Sequence, residues 1–209
     1  ARAELQVLEK IQPALEEGRS ARTVPLNSDE SAIVRTFFLL TIKPTIYAAN
    51  VHESMLAAAD ESAHVKTVRQ IAENESAECV VICAQLEAEL VALPPEERLD
   101  FLKNAGVSSS GVDRLIKSAY HLLGLTSFLT AGEKEVRAWT IPRGTRAQQA
   151  AGVIHSDIER GFIRAEVINY QDLLRAGSYV AAREQGLLRL EGKDYVMQEG
   201  DVVHFRFNV

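Results

Sequence analysis

The chain has 209 residues, 46% of them hydrophobic, with 23 Lys+Arg against 29 Asp+Glu and a formal net charge of −6. That length can bury one or two apolar cores, no apolar run approaches the roughly 20 residues of a membrane-spanning helix, and no charged-then-apolar leader opens the sequence. The composition predicts a soluble, cytoplasmic protein with neither membrane nor DNA as partner. Charge is unevenly placed: residues 1–124 carry 12 Lys+Arg and 18 Asp+Glu, whereas residues 125–209 carry 11 of each.

"AELQVLEKIQPALEEG" places Leu5, Leu8, Ile11 and Leu15 at helical spacing with Gly18 as a stop. It reads as one arm of a helical hairpin or coiled coil, kinked or split by Pro13. "DESAIVRTFFLL" from Asp29 predicts a short capped helix, "KPTIYAA" a strand, and "SMLAAADESAHVKTVRQIAENE" a helix broken near Asp60. "CVVICA" from Cys79 is a continuous apolar strand of the kind buried on both faces of a parallel sheet. Helices follow in "PPEERLDFLKNAG", with Pro95 in its first turn and Gly106 beyond its end, and in "SSSGVDRLIKSAYHLLG", capped by Ser110 and stopped by Gly124. Strands alternating with helices predict a doubly wound α/β sheet.

After Gly124 the pattern changes. "TSFLTAG" and "EVRAWTI" predict two strands joined by a tight Ala131–Gly132 turn. "TRAQQAAGVIHSDIERG" is expected as one helix, "FIRAEVI" as a strand, and "YQDLLRAG" and "SYVAAREQG" as short helices. "LLRLEGKDYVMQEGDVVHFRFNV" reads as strands separated by Gly192 and Gly200. The arrangement predicts a compact α+β unit of β-grasp type, with the boundary near Leu125.

Cys79 and Cys83 would face the same side of one strand about 13 Å apart, too far for a disulfide within it. They read as buried thiols in a reducing compartment. His52, His64, His121, His155 and His204 lack metal-ligand spacing, and each reads as a loop, surface or packing residue.

The end of the first strand, "NVHE", carries the most specific chemistry. Ligands of α/β sheets sit beyond the carboxyl ends of strands. Asn50 and Glu53, three residues apart in one turn, can face the same ligand edge, the amide as donor and acceptor and the carboxylate as acceptor. The pattern is similar to the base-reading Asn-Lys-x-Asp loop of P-loop GTPases, with Val51 in place of Lys and Glu53 in place of Asp. An alternative stays open: Asn50 turns or caps the chain, and Glu53 favours the dipole of a helix starting at Ser54.

"LLTIKPTIYAANVHE", "VVICAQLEAEL", the block from "GVDRLIKSAYHLLGLTSFLTAG" to "IRAEVI" and "DYVMQEGDVVHFRFN" together resemble the later part of the YchF family, a branch of the Obg-related P-loop nucleotidases. The resemblance covers the chain from Asn27 onward and, more loosely, the helix before it. It implies a returning helix of a coiled-coil insertion over residues 1–28 and the C-terminal part of a nucleotide-binding domain over 29–124. Residues 125–209 would form a ubiquitin-like TGS domain. By the same resemblance Asn50, Val51 and Glu53 correspond to the altered base-reading motif that accompanies a preference for ATP over GTP. Cys83, Ala84 and Gln85 correspond to the other loop lining the base, through their backbone groups. The family is an ATPase/GTPase that uses Mg²⁺ with ATP and associates with the ribosome, through its large subunit or RNA.

No Gly-x4-Gly-Lys-Ser/Thr and no Asp-x-x-Gly occurs in the 209 residues. Phosphoryl transfer depends on cradling the phosphates and their metal, so the chain is expected to be inactive in hydrolysis by itself, with no catalytic residue and no metal ligand of its own. The other functional reading is a non-enzymatic RNA- or ribosome-binding module. It rests on Arg137, Arg143 and Arg146 around Trp139, a combination suited to phosphates and stacked bases. The neutral balance of residues 125–209 argues against tight, sequence-blind nucleic-acid binding.

Overall fold

The computed structural model describes residues 1–132 and 135–208, which divide into two compact units, Ala1–Ala119 and Tyr120–Val209.

In the first unit, helix α1 spans Arg2–Glu16 and passes unbroken through Pro13. The lost backbone bond falls against Glu9, on the exposed side, and Glu17 N–H still reaches Pro13 O at 3.1 Å. Gly18, at φ +74°, ends the helix as expected, and Arg19 N–H closes on Ala14 O at 2.8 Å. The buried face is Val7, Ile11 and Ala14, whereas Leu5, Leu8 and Leu15 stand exposed. Of the predicted stripe only Ile11 is therefore core. Helix α2, Ser28–Arg35, begins one residue earlier than expected because Asn27 and Glu30 form a reciprocal capping box, Glu30 N to Asn27 Oδ1 at 2.9 Å and Asn27 N to Glu30 Oε2 at 3.0 Å.

Strand β1, Ile46–Asn50, leads through His52 into the short helix α3, Glu53–Leu56. A 3₁₀ turn at Ala59–Glu61 separates this from α4, Ala63–Asn74, the break expected near Asp60. Strand β2, Glu78–Ile82, returns parallel to β1, in register from Ile46↔Glu78 to Asn50↔Ile82, with α4 as the crossover that parallel pairing requires. Only Val80 of β2 is fully buried, so this strand is not sealed on both faces. Cys83 lies past the strand, as the residue preceding helix α5 (Ala84–Ala92). Cys79 and Cys83 therefore do not share one strand face, and both are free thiols.

Helix α6, Pro95–Asn104, and α7, Gly111–Leu122, follow. Ser110 Oγ accepts from Asp113 N at 2.9 Å, and Glu87 Oε1 of α5 accepts from Gly111 N at 2.6 Å. A Cβ at Gly111 would stand 3.0 Å from Ile82 Cγ2 and 3.1 Å from Glu87 Oε1, so a larger residue there must displace these side chains by a few tenths of an ångström.

In the second unit, strands β3 (Leu125–Ala131) and β4 (Val136–Pro142) form a hairpin. The turn does not fall at Ala131–Gly132: Ala131 still pairs with Val136, and Gly132 N–H donates to Glu135 O at 2.9 Å, with residues 133 and 134 outside the described part. Then come α8 (Ala147–Ile154), α9 (Ser156–Arg160), β5 (Phe162–Asn169), α10 (Tyr170–Ala176), α11 (Tyr179–Glu184), β6 (Arg189–Glu191) and β7 (Asp201–Phe207). The single helix expected over "TRAQQAAGVIHSDIERG" is two. His155 turns extended at φ −161°, ψ 141°, and its Nδ1 caps α9 by accepting from Asp157 N at 3.1 Å.

The sheet order is β4-β3-β7-β5-β6, with β3 and β7 parallel and the other pairs antiparallel. Phe128, Ile141, Ala150, Val167, Val203 and Phe205 make its main core. Between β6 and β7 the chain is irregular, not a further strand. Buried Asp201 organises it, accepting from Tyr195 Oη at 2.8 Å and Gln198 N at 2.9 Å. Burial, then the bond to Asp201, pushes the Tyr195 hydroxyl up to about 12.

Candidate functional site

The carboxyl ends of β1 and β2 lie side by side because the strands are parallel and in register through Asn50↔Ile82. Val51 N–H extends that pairing to Ile82 O at 2.9 Å. The next residue on each chain leaves the sheet, and the two loops meet through one side chain: Asn50 Oδ1 accepts from Ala84 N at 3.0 Å. Cys83, which precedes α5, offers no side-chain cap. Asn50, 34 residues upstream, supplies the missing acceptor to one of the orphan first-turn donors.

This bond gives Asn50 a structural role and leaves its Nδ2 donors available. The side chain does cap a helix, but α5 and not the one that follows it in sequence. That following helix is capped by His52, whose Nδ1 accepts from Ser54 N at 3.2 Å, a role absent from any reading of histidine spacing. Glu53 is the first residue of α3 and is exposed. No hydrogen-bond partner of its carboxylate is found among the described residues.

With Oδ1 engaged, the Asn50 amide retains its Nδ2 donors, and Glu53 retains both oxygens. Across the gap Ala84 and Gln85 are exposed, whereas Cys83 is only 2% exposed. The Gln85 side chain leans along α5 to Glu89 at 3.3 Å. What the second loop offers is therefore backbone, chiefly the first-turn N–H of Gln85.

A cleft of about 220 Å³ adjoins the first loop, lined by Asn50, Val51, His52, Met55, His64 and Val68 among others. It is smaller than the roughly 300–1,000 Å³ of whole-ligand pockets and suits one ring system. Neither Glu53 nor Cys83–Gln85 lines it. The structure joins Asn50, Val51 and Ala84 closely and leaves Glu53 at the rim. Sequence reading missed Met55, His64 and Val68, whose only signal is the helical spacing that returns α3 and α4 to the end of β1.

The four residues of the arginine-rich stretch separate. Arg137 and Trp139 share a face of β4, with the guanidinium carbon 4.1 Å from the indole centroid. Trp139 is half-buried, stacks on Phe128 at 6.5 Å and donates Nε1–H to Thr130 Oγ1 at 2.9 Å. Arg143 Nε donates to Leu125 O at 3.2 Å, and Arg146 pairs with Asp194 at 2.6 Å. Arg137 and Trp139 thus make one platform, while Arg143 and Arg146 hold local structure.

Parallel strands whose adjoining carboxyl ends each open a helix, followed by a mixed five-stranded sheet with helices, define a two-unit α/β and α+β protein. The YchF-GTPase_C family model, described as a protein of unknown function (DUF933), matches residues 125–208. The ribosome-binding ATPase YchF of Bacillus subtilis (strain 168) is 48% identical over 206 residues, 99% of this chain and 56% of that protein. Its namesake from Escherichia coli O157:H7 is 45% identical over 209 residues, 100% of this chain and 57% of that protein. The solved structure of the Schizosaccharomyces pombe YchF GTPase superposes with a TM-score of 0.81 at 33% identity, covering 98% of this chain and 55% of that one. A GTP binding protein from Pyrococcus horikoshii OT3 shares the fold, with a TM-score of 0.57 at 17% identity over 99% of this chain and 56% of that one. The chain is similar to YchF proteins along nearly its whole length and spans a little over half the length of these relatives.

Proposed function

We propose that this chain carries the base-recognition loops and the ribosome-directed C-terminal unit of a YchF-type ATPase. The observation that carries the reading is the 3.0 Å bond from Ala84 N to Asn50 Oδ1. It locks together two loops at the carboxyl ends of adjacent parallel strands, where ligands of α/β sheets sit. Adenine presents a donor beside an acceptor on its pairing edge: the Asn50 Nδ2–H can serve the acceptor, and the second lone pair of its Oδ1 or the Glu53 carboxylate can take the donor. Glu53, one methylene longer than aspartate, carries its carboxylate away from the position that reads two adjacent guanine donors.

Ribosome-binding ATPase is what the bacterial relatives are called, and that role is extended here to the protein of which this sequence forms part. On this reading residues 1–28 are the returning helix of an insertion, 29–124 the last part of the nucleotide domain, and 125–209 a TGS domain of β-grasp type. The protein acts in the cytoplasm, contacting the large ribosomal subunit or its RNA. The parallel central pair flanked by antiparallel strands supports the β-grasp assignment.

Magnesium, which accompanies ATP in such enzymes, is held in such sites by the phosphates with one or two side-chain oxygens. No group of three or more His, Cys, Asp or Glu side chains gathers to hold a metal among the described residues. The metal and phosphate contacts are assigned outside these 209 residues, and no step is assigned to them here.

The test is nucleotide titration of the full-length protein and its Val51→Lys/Glu53→Asp variant. The double change restores a lysine stem over the purine and a shorter carboxylate. It should shift the GTP-to-ATP affinity ratio about tenfold or more towards GTP, since bidentate base readout contributes about 1–3 kcal/mol. An unchanged ratio would move specificity to the backbone around Cys83–Gln85.

A further inference from the structure

A recess of the first unit lies away from these loops. It encloses about 560 Å³ and is lined by Arg22, Arg35, Phe38, Leu39, Ile42 and Lys43, together with Val24, Leu26, Ser31 and Pro44. No carboxylate lines it, although the first 124 residues carry 18 acidic groups against 12 basic ones. Two acidic side chains near it, Glu75 and Glu30, are already engaged. Glu75 binds Arg22 at 2.5 Å and Tyr47 Oη at 2.7 Å, and Glu30 binds Lys10 at 2.5 Å.

Arg22 is thereby neutralised. Arg35 and Lys43 are exposed, and no anionic partner of either is found among the described residues. The floor between them is aliphatic, from Val24, Leu26, Leu39 and Ile42. Phe38 stands 87% exposed at the rim, and Leu40 beside it 78%. The backbone presents Phe38 in the left-handed region at φ +51°, a conformation that a bulky residue adopts at a cost of order 1–3 kcal/mol. The 3₁₀ turn Leu40–Ile42 that follows fixes the direction of this segment.

We propose that this groove docks an acidic peptide segment of a protein partner, carrying one or two large aliphatic side chains flanked by carboxylates. The aliphatic floor takes the anchors, and Arg35 and Lys43 face the flanking charges. Charge complementarity selects the sign of the partner, and an exposed aromatic-aliphatic rim over an apolar floor is the composition of interface cores. A nucleic-acid strand fits less well, because aliphatic walls offer its bases neither stacking planes nor hydrogen-bond partners.

The test uses the 209-residue chain and three fluorescein-labelled probes: a short peptide of leucines interspersed with glutamates, the same peptide with lysines, and oligouridylate. Fluorescence anisotropy should show saturable binding of the glutamate peptide, weakened by added salt. Arg35→Glu/Lys43→Glu should weaken it at least about tenfold, and Phe38→Ser should also weaken it, both with unchanged circular dichroism. Three results would overturn the proposal. They are no saturable binding of the glutamate peptide, its displacement by the lysine peptide or by oligouridylate, and survival of binding in both variants.

Discussion

Replacing Asn50 separates two tasks that the same side chain performs. Asn50→Ala removes the acceptor of Ala84 N, a 3.0 Å bond at the first turn of α5. Loss of a helix cap costs about 0.5–2 kcal/mol, and because both Asn50 and Ala84 are exposed the lower half of that range applies, about 0.5–1 kcal/mol. Asn50→Asp keeps an oxygen in the same place and puts a negative charge at a helix N-terminus, which contributes about 0.3–1 kcal/mol. It removes the Nδ2 donors. Hydrogen exchange at the Ala84 amide is the direct assay: about two- to fivefold faster in the alanine variant, unchanged or slower in the aspartate variant. In the full-length protein both variants should lose adenine affinity, since neither keeps an amide. Equal acceleration in the two variants would show that Oδ1 does not cap α5 and would undo the account of how the two loops are held.

Three further outcomes follow from the packing and charge. Gly111→Ala should lower the urea midpoint of the first unit, because overpacking against Ile82 and Glu87 costs about 1–3 kcal/mol and outweighs the gain of about 1 kcal/mol in helix propensity; an unchanged midpoint would mean that both neighbours move aside. Tyr195, raised to about 12 in the folded state from 10, favours the protonated hydroxyl on folding, so its contribution is complete below pH 10 and is lost as pH rises through about 12. Thermal unfolding of the second unit should fall across that window by more than in Tyr195→Phe, and parallel falls would refute the coupling. Arg137→Ala should weaken ribosome co-sedimentation of the full-length protein and reduce its salt dependence, whereas Arg146→Ala, which breaks only the pair with Asp194, should not; equal effects would remove the distinction drawn between platform and support.

Much of the element order was legible because the signals are local. Gly18, Gly106 and Gly124 take positive φ where stops were expected, and Ser110 caps where a cap was expected. Helix α5 was not legible, since its cap comes from Asn50 across the sheet and no turn residue separates it from β2. The α8/α9 break was hidden for a similar reason: a histidine ring cap has no sequence signature, and Gly152 in α8 marks it only once Glu159 is seen to press against it, 2.4 Å from the position of an added Cβ. In α1 the leucines drew the eye, yet the smaller Val7 and Ala14 face the core; periodicity gives the angle of a stripe, and packing chooses which stripe is covered. Asn50 and Glu53 were legible as a pair of chemical types. That the first is tied down and the second is free was not, because it depends on a residue 34 positions away.

The second unit places its first and last strands together at the middle of its sheet, β3 beside β7, with Leu129 opposite Val202. The two residues are 73 positions apart (202 − 129), so the central seam closes only after nearly the whole unit has been synthesised. Until then β3 and β4 are a lone hairpin, marginally stable in water, and β5 lacks the neighbour that pairs with it from Phe162 to Asn169. Loop closure precedes the contacts that reward it, which makes folding of this unit slow relative to a helical one of its size. A stop codon, a proteolytic cut or a displaced β7 removes the centre of the sheet and not its margin. Phe128, Val167 and Phe205 then have no common core to enter, so damage at the very end of this unit is expected to be all-or-none, with a hydrophobic surface exposed to proteases and chaperones.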